Sequence, residues 1–262
     1  MKICLDAGHG TGQNRSPALP AYCEGDRMFD LQGLLKQALE AYGVSVVCTR
    51  AVRQNDPSLY ERAQAAKGCD LFLSLHSNAA GNDVCESVDY PVVFYPVSGK
   101  GCVLASRLTE CIRTTMGTTQ AAQTRVRWNS AHNADYYGVI RYTASLAVTG
   151  LILEHSFHTN TRMTAWLSDD ANLKRLAEAE AAAIAAHYGL KKPEAEPQRE
   201  EPARYHLLSD VPQGDYRAVL DKLIAADILH GRSGAGEERV LDLTEDSVRL
   251  LVLLDRAGAF GS

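Results

Sequence analysis

Two kinds of apolar segment alternate along the chain. One kind is a short unbroken run: Lys2-Ile3-Cys4-Leu5-Asp6, Val44-Ser45-Val46-Val47, Leu71-Phe72-Leu73-Ser74-Leu75 and Leu151-Ile152-Leu153. Such runs read as strands buried on both faces, and residues 91–95 read as another strand. The second kind is a stripe at three- and four-residue spacing, as in Met28, Leu31, Leu35 and Leu39, then Leu104, Leu108 and Ile112, then Leu173, Leu176, Ala177 and Ile184. These spacings predict amphipathic helices. Gly43 and Gly189 stand where the first and last stripes stop, and Ser58 with Glu61 forms a capping-box pattern opening a short helix. Val139-Ile140 reads as a short strand and the polar stretch 117–136 as an irregular loop. Strands alternating with helices predict an α/β fold, a mostly parallel twisted sheet flanked by helices.

The pattern changes after residue 190. Residues 191–203 carry three prolines and alternating charge without a large apolar side chain, the composition of an extended linker. Beyond it, residues 204–262 show two helical stripes and predict a small helical C-terminal domain. The first stripe is Tyr216, Val219, Leu220, Leu223, Ile224 and Ile228. The second follows Thr244 as N-cap and turns Val248, Leu251, Val252 and Leu254 inward. A helical unit of roughly 60 residues is marginal alone, so it calls for a partner, a second copy or the large domain. The expected organisation is therefore a large domain at 1–190, a linker at 191–203 and a small domain at 204–262.

Composition narrows the partners. A net charge of -5 over 262 residues gives no electrostatic reason for a nucleic-acid partner, and no apolar run reaches membrane-spanning length. Seven cysteines are scattered, none in C-x-x-C spacing, which suits buried thiols in a reducing compartment. Met1-Lys2 leads straight into the first strand without an apolar leader, so the expectation is synthesis in a cytoplasm without a signal peptide.

Three predicted strands run into polar residues at their carboxyl ends, where ligands bind in such sheets. They are Asp6-Ala7-Gly8-His9-Gly10, Leu75-His76-Ser77-Asn78 and Leu153-Glu154-His155. His9 lies between glycines that let the backbone approach closely. Two rigidly held imidazoles plus a carboxylate make a three-ligand zinc site with an open position; Glu24, on the loop after His9, is the natural third ligand. Cys23 beside it is a rival ligand. A zinc hydrolase also needs a base that is not a ligand, and Glu154, after three apolar residues, fits. The alternative is that Glu154 pairs with Arg141 or Arg50, and a lone strand-end histidine is more often structural than a ligand.

Asp6-Ala7-Gly8-His9-Gly10, Glu24 before a helix, Thr49-Arg50, Leu59 to Arg62, Asp70 to Ala79 and Leu153 to Asn160 occur in the order of zinc-dependent N-acetylmuramoyl-L-alanine amidases of the amidase-3 type. The resemblance spans residues 1 to about 190. It implies one zinc ion held by His9, Glu24 and His76, Glu154 as catalytic glutamate, and cleavage of the amide between N-acetylmuramic acid and L-alanine in peptidoglycan. Asn78, Arg141 and His155 are candidate substrate contacts. Asp30 departs from the family's asparagine, and His155 and His158 are less usual beside the glutamate; the roles open to each are proton donor, substrate contact and, foremost, packing. The segment from Ser209 to Gly231 resembles one unit of an S-layer-homology repeat and the small C-terminal domains of clostridial prophage amidases. That implies binding to the bacterial cell wall, with assembly into a homo-oligomer as the rival. The whole resembles phage or prophage endolysins, which implies release through a holin-type pore protein. Other readings are a host autolytic amidase, a zinc peptidoglycan peptidase and a non-catalytic wall-binding module.

Overall fold

Six strands form the sheet of the larger unit, β1 (Lys2–Ala7), β2 (Ser45–Cys48), β3 (Leu71–Asn78), β4 (Val92–Phe94), β5 (Gln123–Arg125) and β6 (Thr149–Phe157), in the order β2-β1-β3-β6-β4-β5. Neighbours are parallel except β4 and β6, which run antiparallel. The computed structural model describes residues 1–192 and 203–260, and contacts divide the chain into units Met1–Pro193 and Glu194–Ser262. Residues 193–202, the body of the predicted linker, lie outside the described residues.

Helices cover both faces of the sheet, which is why its central strands are apolar without alternation. On one face lie α1 (Glu24–Glu40), α3 (Cys102–Met116) and α6 (Asp170–Tyr188), and on the other α2 (Leu59–Ala65) and α4 (Gly138–Ser145). The period of two sorts the side chains between them. Ile3, Leu5, Leu71, Leu73, Leu75, Leu151 and Leu153 pack with Leu31, Leu35, Leu108 and Ile184 on the first face. Cys4, Phe72 and Ile152 pack with Ala66, Val139 and Ile140 on the second. Met28, Leu31, Leu35 and Leu39 of α1 are fully buried, each contributing about 1.5–3 kcal/mol relative to exposure. The capping box of Ser58 and Glu61 is present at α2, and Gly189 closes α6 with φ of 67°.

Local readings are corrected in three places. Val139 and Ile140 belong to α4 rather than a strand; their β-branched pair buries one helical stripe against β6. The stretch 117–136 contributes β5 at the sheet edge. A further helix, α5 (Thr161–Ser168), follows β6, capped by the Asn160 side chain on the Met163 N–H.

The smaller unit adds a two-stranded antiparallel sheet, β7 (Arg204–Leu207) with β8 (Val240–Thr244), to the expected helices α7 (Asp215–Ala225) and α8 (Glu245–Arg256). Leu208, Val219, Leu220, Leu223, Val248 and Val252 form its core, and Thr244 caps α8 as expected. Ile228 lies beyond α7, and Leu254, expected inward, is exposed. No helix among the described residues is long and apolar enough to cross a membrane.

Candidate metal centre and active-site cleft

The carboxyl ends of β1, β3 and β6 meet at one rim. Residue pairing between β3 and β6 sets His76 directly beside Glu154, and the period of two puts both on the face of the sheet that carries Ser74 and Ile152. After β1 the chain turns sharply at His9, whose φ of 59° is left-handed. Two buried arginines hold that turn: Arg62 and Arg50 donate to the His9 carbonyl at 3.0 and 3.1 Å. Gly8 is required here, since a Cβ would lie 2.2 Å from His76 Cε1. Gly25 is required too, because its Cβ would lie 1.9 Å from the Gly10 carbonyl oxygen.

Glu24 opens α1 and points back under the rim. His9, Glu24 and His76 each offer a ligand atom, and these atoms lie within 4.8 Å of one another. His76 Nδ1 stands 2.9 Å from Glu24 Oε1 and His9 Nε2 stands 3.5 Å from the same oxygen. Glu24 is 1% exposed, while His9 and His76 are 34% and 19% exposed, so the cluster opens toward solvent from the histidine side. The Asn14 amide bridges the group, its Nδ2 lying 3.0 Å from His9 Nε2 and donating to Glu24 Oε2 at 2.9 Å.

Electrostatics sharpen the donor set. Burial opposes ionisation of Glu24, but His76, then His9 and Asn14, outweigh it and hold the carboxyl down at about 2. Burial, with His76 and Arg62 adding to it, lowers the His9 pKa despite Glu24, favouring a neutral imidazole whose Nε2 faces the Asn14 amide. Burial, reinforced by the Glu24 charge and opposed by His76, pushes Glu154 up to about 7. Oε2 of Glu154 is out of water with no hydrogen-bond partner. Neither predicted arginine reaches it: Arg141 donates to the carbonyls of Asp135 and Tyr136, and Arg50 to those of His9 and Gly25. A buried carboxylate oxygen without a partner is costly, and Glu154 lines a cleft of about 450 Å³ together with His9, His76, Leu59, Tyr137 and Val139 among others.

Residues 3–186 match a family described as N-acetylmuramoyl-L-alanine amidase. The chain belongs to that amidase family. One relative, the N-acetylmuramoyl-L-alanine amidase CwlM of Bacillus licheniformis, is 28% identical over 196 residues, covering 73% of this chain and 70% of its own. Among solved structures, the catalytic domain of the amidase CwlV from Bacillus (Paenibacillus) polymyxa var. colistinus aligns with a TM-score of 0.61 at 20% identity, covering 72% of this chain and 99% of that one. Amidase AmiC2 of Nostoc punctiforme gives 0.61 at 23% identity, covering 72% and 97%. Cwp6 from Clostridium difficile gives 0.62 at 21% identity over 71% of this chain, a match spanning 29% of Cwp6. These structures share the amidase fold with residues of the larger unit.

The remaining predicted residues of this amidase are placed unevenly. His155 adjoins Glu154 in β6 and so faces the other side of the sheet, fully buried, with Nδ1 2.8 Å from the His76 carbonyl and Nε2 2.7 Å from Glu180 of α6. It has no surface to offer a substrate. His158 is also buried, against Ser77 and the Tyr22 ring. Asn78 caps the turn after β3, its Oδ1 accepting from the Ala79 N–H, and Arg141 braces the 135–136 backbone from outside the cleft lining. Asp30 pairs with Arg27 and Arg53. Cys23 lies outside the ligand cluster.

Sequence reasoning missed a chain of groups behind His76. His76 Nε2 lies 3.1 Å from Ser74 Oγ, which donates to Asp6 Oδ2 at 2.6 Å. Asp6, 1% exposed, also accepts from Thr49 and Arg62 at 2.6 and 2.8 Å. With Nδ1 turned to the ligand cluster, Nε2–H donates to Ser74 and fixes both tautomer and ring orientation. The available signal was Asp6 and Ser74 themselves, polar residues inside apolar strands on the same face as His76.

Proposed function

We propose that this peptidoglycan amidase is zinc-dependent, with His9, Glu24 and His76 holding one ion and Glu154 acting as the proton-transfer group. The observation that carries the reading is the convergence of two imidazoles and a buried carboxylate beside an unpartnered second carboxylate. The donor set suits zinc, which favours nitrogen and carboxylate ligands; Glu24 is held ionised, while, against burial, its contact with His76 raises that imidazole to about 9, so metal binding would displace a proton from His76. When bound, zinc supplies Lewis-acid polarisation of a carbonyl and acidifies water.

The chain's own residues do the rest. Glu154 accepts the proton of the attacking water and returns it to the departing nitrogen of L-alanine. Its raised pKa favours that return, because a carboxyl near neutrality gives up and regains a proton easily. Ser74 and Asp6 keep the His76 ring aligned. Leu59, Val139 and Tyr137 supply apolar walls beside the reacting groups.

Elemental analysis tests the metal: purified protein should carry about one zinc per chain, and His76→Ala should lose it. Full occupancy in that variant would remove His76 from the site. For the small unit, the reading is attachment to the wall, with homo-oligomer assembly as the rival; binding to intact walls and light scattering separate them. A further proposal is that the enzyme is a phage or prophage endolysin released by a membrane-pore partner. Its support is a set of seven free cysteines, three of them buried, which suits synthesis in a reducing cytoplasm. Lysis only after membrane permeabilisation is the expected behaviour; active enzyme in the medium of intact cells would refute it in favour of a host autolysin.

A further inference from the structure

The wall of the cleft continues into an unusual surface. Among the described residues of the larger unit, the Trp, Tyr and Phe side chains that are strongly exposed are Tyr60, Trp128, Tyr136 and Tyr188. Three of these four stand on segments that border the cleft. Tyr136 directly precedes Tyr137, a cleft residue, and Trp128 pairs with Asp135 in an isolated bridge. Tyr60 follows the cleft residue Leu59 and meets Tyr142 of α4 edge-on at 5.7 Å.

The ledge of residues 127–137 is braced. Arg127 lies 3.7 Å from the centroid of the Tyr136 ring, and Tyr136 N–H donates to the Arg127 carbonyl at 2.8 Å. Asp135 accepts from the Val97 N–H at 2.8 Å, and Arg141 donates to the Asp135 carbonyl at 2.7 Å. Trp128 is 42% and Tyr136 49% exposed. Apolar rings held in water by polar braces cost free energy unless something covers them, and a braced ledge loses little entropy when it is covered.

We infer that Trp128 and Tyr136 form a saccharide-stacking ledge that seats the glycan strand next to the muramoyl residue being cut. The inference rests on the amidase reading and on the continuity of the ledge with the cleft. Pyranose rings present flat C–H faces and amphipathic edges, which aromatic rings with polar tips match. An L-alanyl peptide offers small side chains and backbone amides, to which the ring faces turned away from Arg127 and His132 contribute little. The glycan therefore runs over the ledge, and the peptide leaves from the other side of the reacting bond.

The chain has two tryptophans, and the second, Trp166, is partly buried beneath Arg175. In full-length Trp166→Phe protein the indole emission therefore reports Trp128 alone. Titration with a tetramer of β-1,4-linked N-acetylglucosamine should give a saturable change in that emission, and adding Tyr136→Ala should weaken binding about 10-fold. An emission indifferent to the tetramer would overturn the inference, as would binding that ignores Tyr136→Ala. In turnover, Trp128→Ala should raise KM on long glycan strands about 10-fold, and far more than on a single muramoyl-peptide, with kcat on strands held within about twofold. An equal rise on both substrates would mean that the ledge serves the peptide or the fold, and would also overturn it. Failure of the amidase reading itself looks different: the wild type would cut neither substrate, while the fluorescence titration would still report on the ledge.

Discussion

Ser74→Ala isolates the support behind the proposed metal centre. The hydroxyl lies between His76 Nε2 at 3.1 Å and Asp6 Oδ2 at 2.6 Å, in a residue 1% exposed. Removing it deprives a buried carboxylate oxygen of its donor, at a cost of about 1–3 kcal/mol. The fold survives, because Asp6 Oδ1 keeps Thr49 and Arg62. The same change frees the His76 ring, and lost outer partners of a metal-ligating histidine typically cost about 10–100-fold in metal affinity, or about 1.4–2.8 kcal/mol. Thr49→Val is the matched control: it removes another hydroxyl from Asp6, at 2.6 Å, without touching His76. Urea unfolding of the metal-free proteins should show a comparable loss in both variants. Chelator competition should show at least about 10-fold weaker zinc binding in Ser74→Ala and near-normal binding in Thr49→Val. Zinc affinity within about twofold of wild type in Ser74→Ala would refute the positioning role and leave the hydroxyl as a brace of the strand.

Three further outcomes are expected. Glu154→Gln should keep zinc and fold while turnover falls about 10²-fold or more, read by elemental analysis beside steady-state kinetics; near-normal turnover would point to another base. Burial opposes ionisation of Asp89, but the backbone N–H groups of Thr119 and Gln120, with Arg162, hold its pKa below the usual value. Its contribution to stability is thus present above about pH 4 and is lost as pH falls through the lower folded value. Asp89→Asn should therefore flatten the acid limb of the unfolding free energy, measured by denaturant titration from neutral pH to about pH 2. A chain ending at Leu190 should fold cooperatively and bind zinc, since the larger unit holds its own core; failure to unfold in a single transition would show that the two units share stability.

The mostly parallel sheet, and the meeting of His9, Glu24, His76 and Glu154 at one rim, were legible because both rest on strong local signals. Unbroken Leu-Ile-Phe runs bounded by turn residues read as strands covered on both faces, and each site residue sits within three residues of an element end. Of the roles open to His155, packing is the one the structure bears out, because alternation along β6 sends it to the face opposite Glu154. There it meets Glu180, a partner 25 residues away that no local pattern announces. Val139-Ile140 deceived through β-branching, a weak preference that burial against β6 overrides. The strands of the smaller unit escaped notice because Arg204–Leu207 alternates half-buried with exposed side chains and gains its pairing only from Val240–Thr244, beyond an intervening helix. Arg50 and Arg62 were readable as motif residues, but their donation to the His9 carbonyl depends on tertiary approach alone.

Mass spectrometry of purified peptidoglycan after digestion by the zinc-loaded full-length protein tests the central claim most directly. The expected products are stem peptides with a new N-terminal L-alanine and glycan strands bearing a free lactyl carboxylate. Fragments cut within the stem peptide, with the muramoyl–alanine amide intact, would contradict it and mark the enzyme as a peptidase.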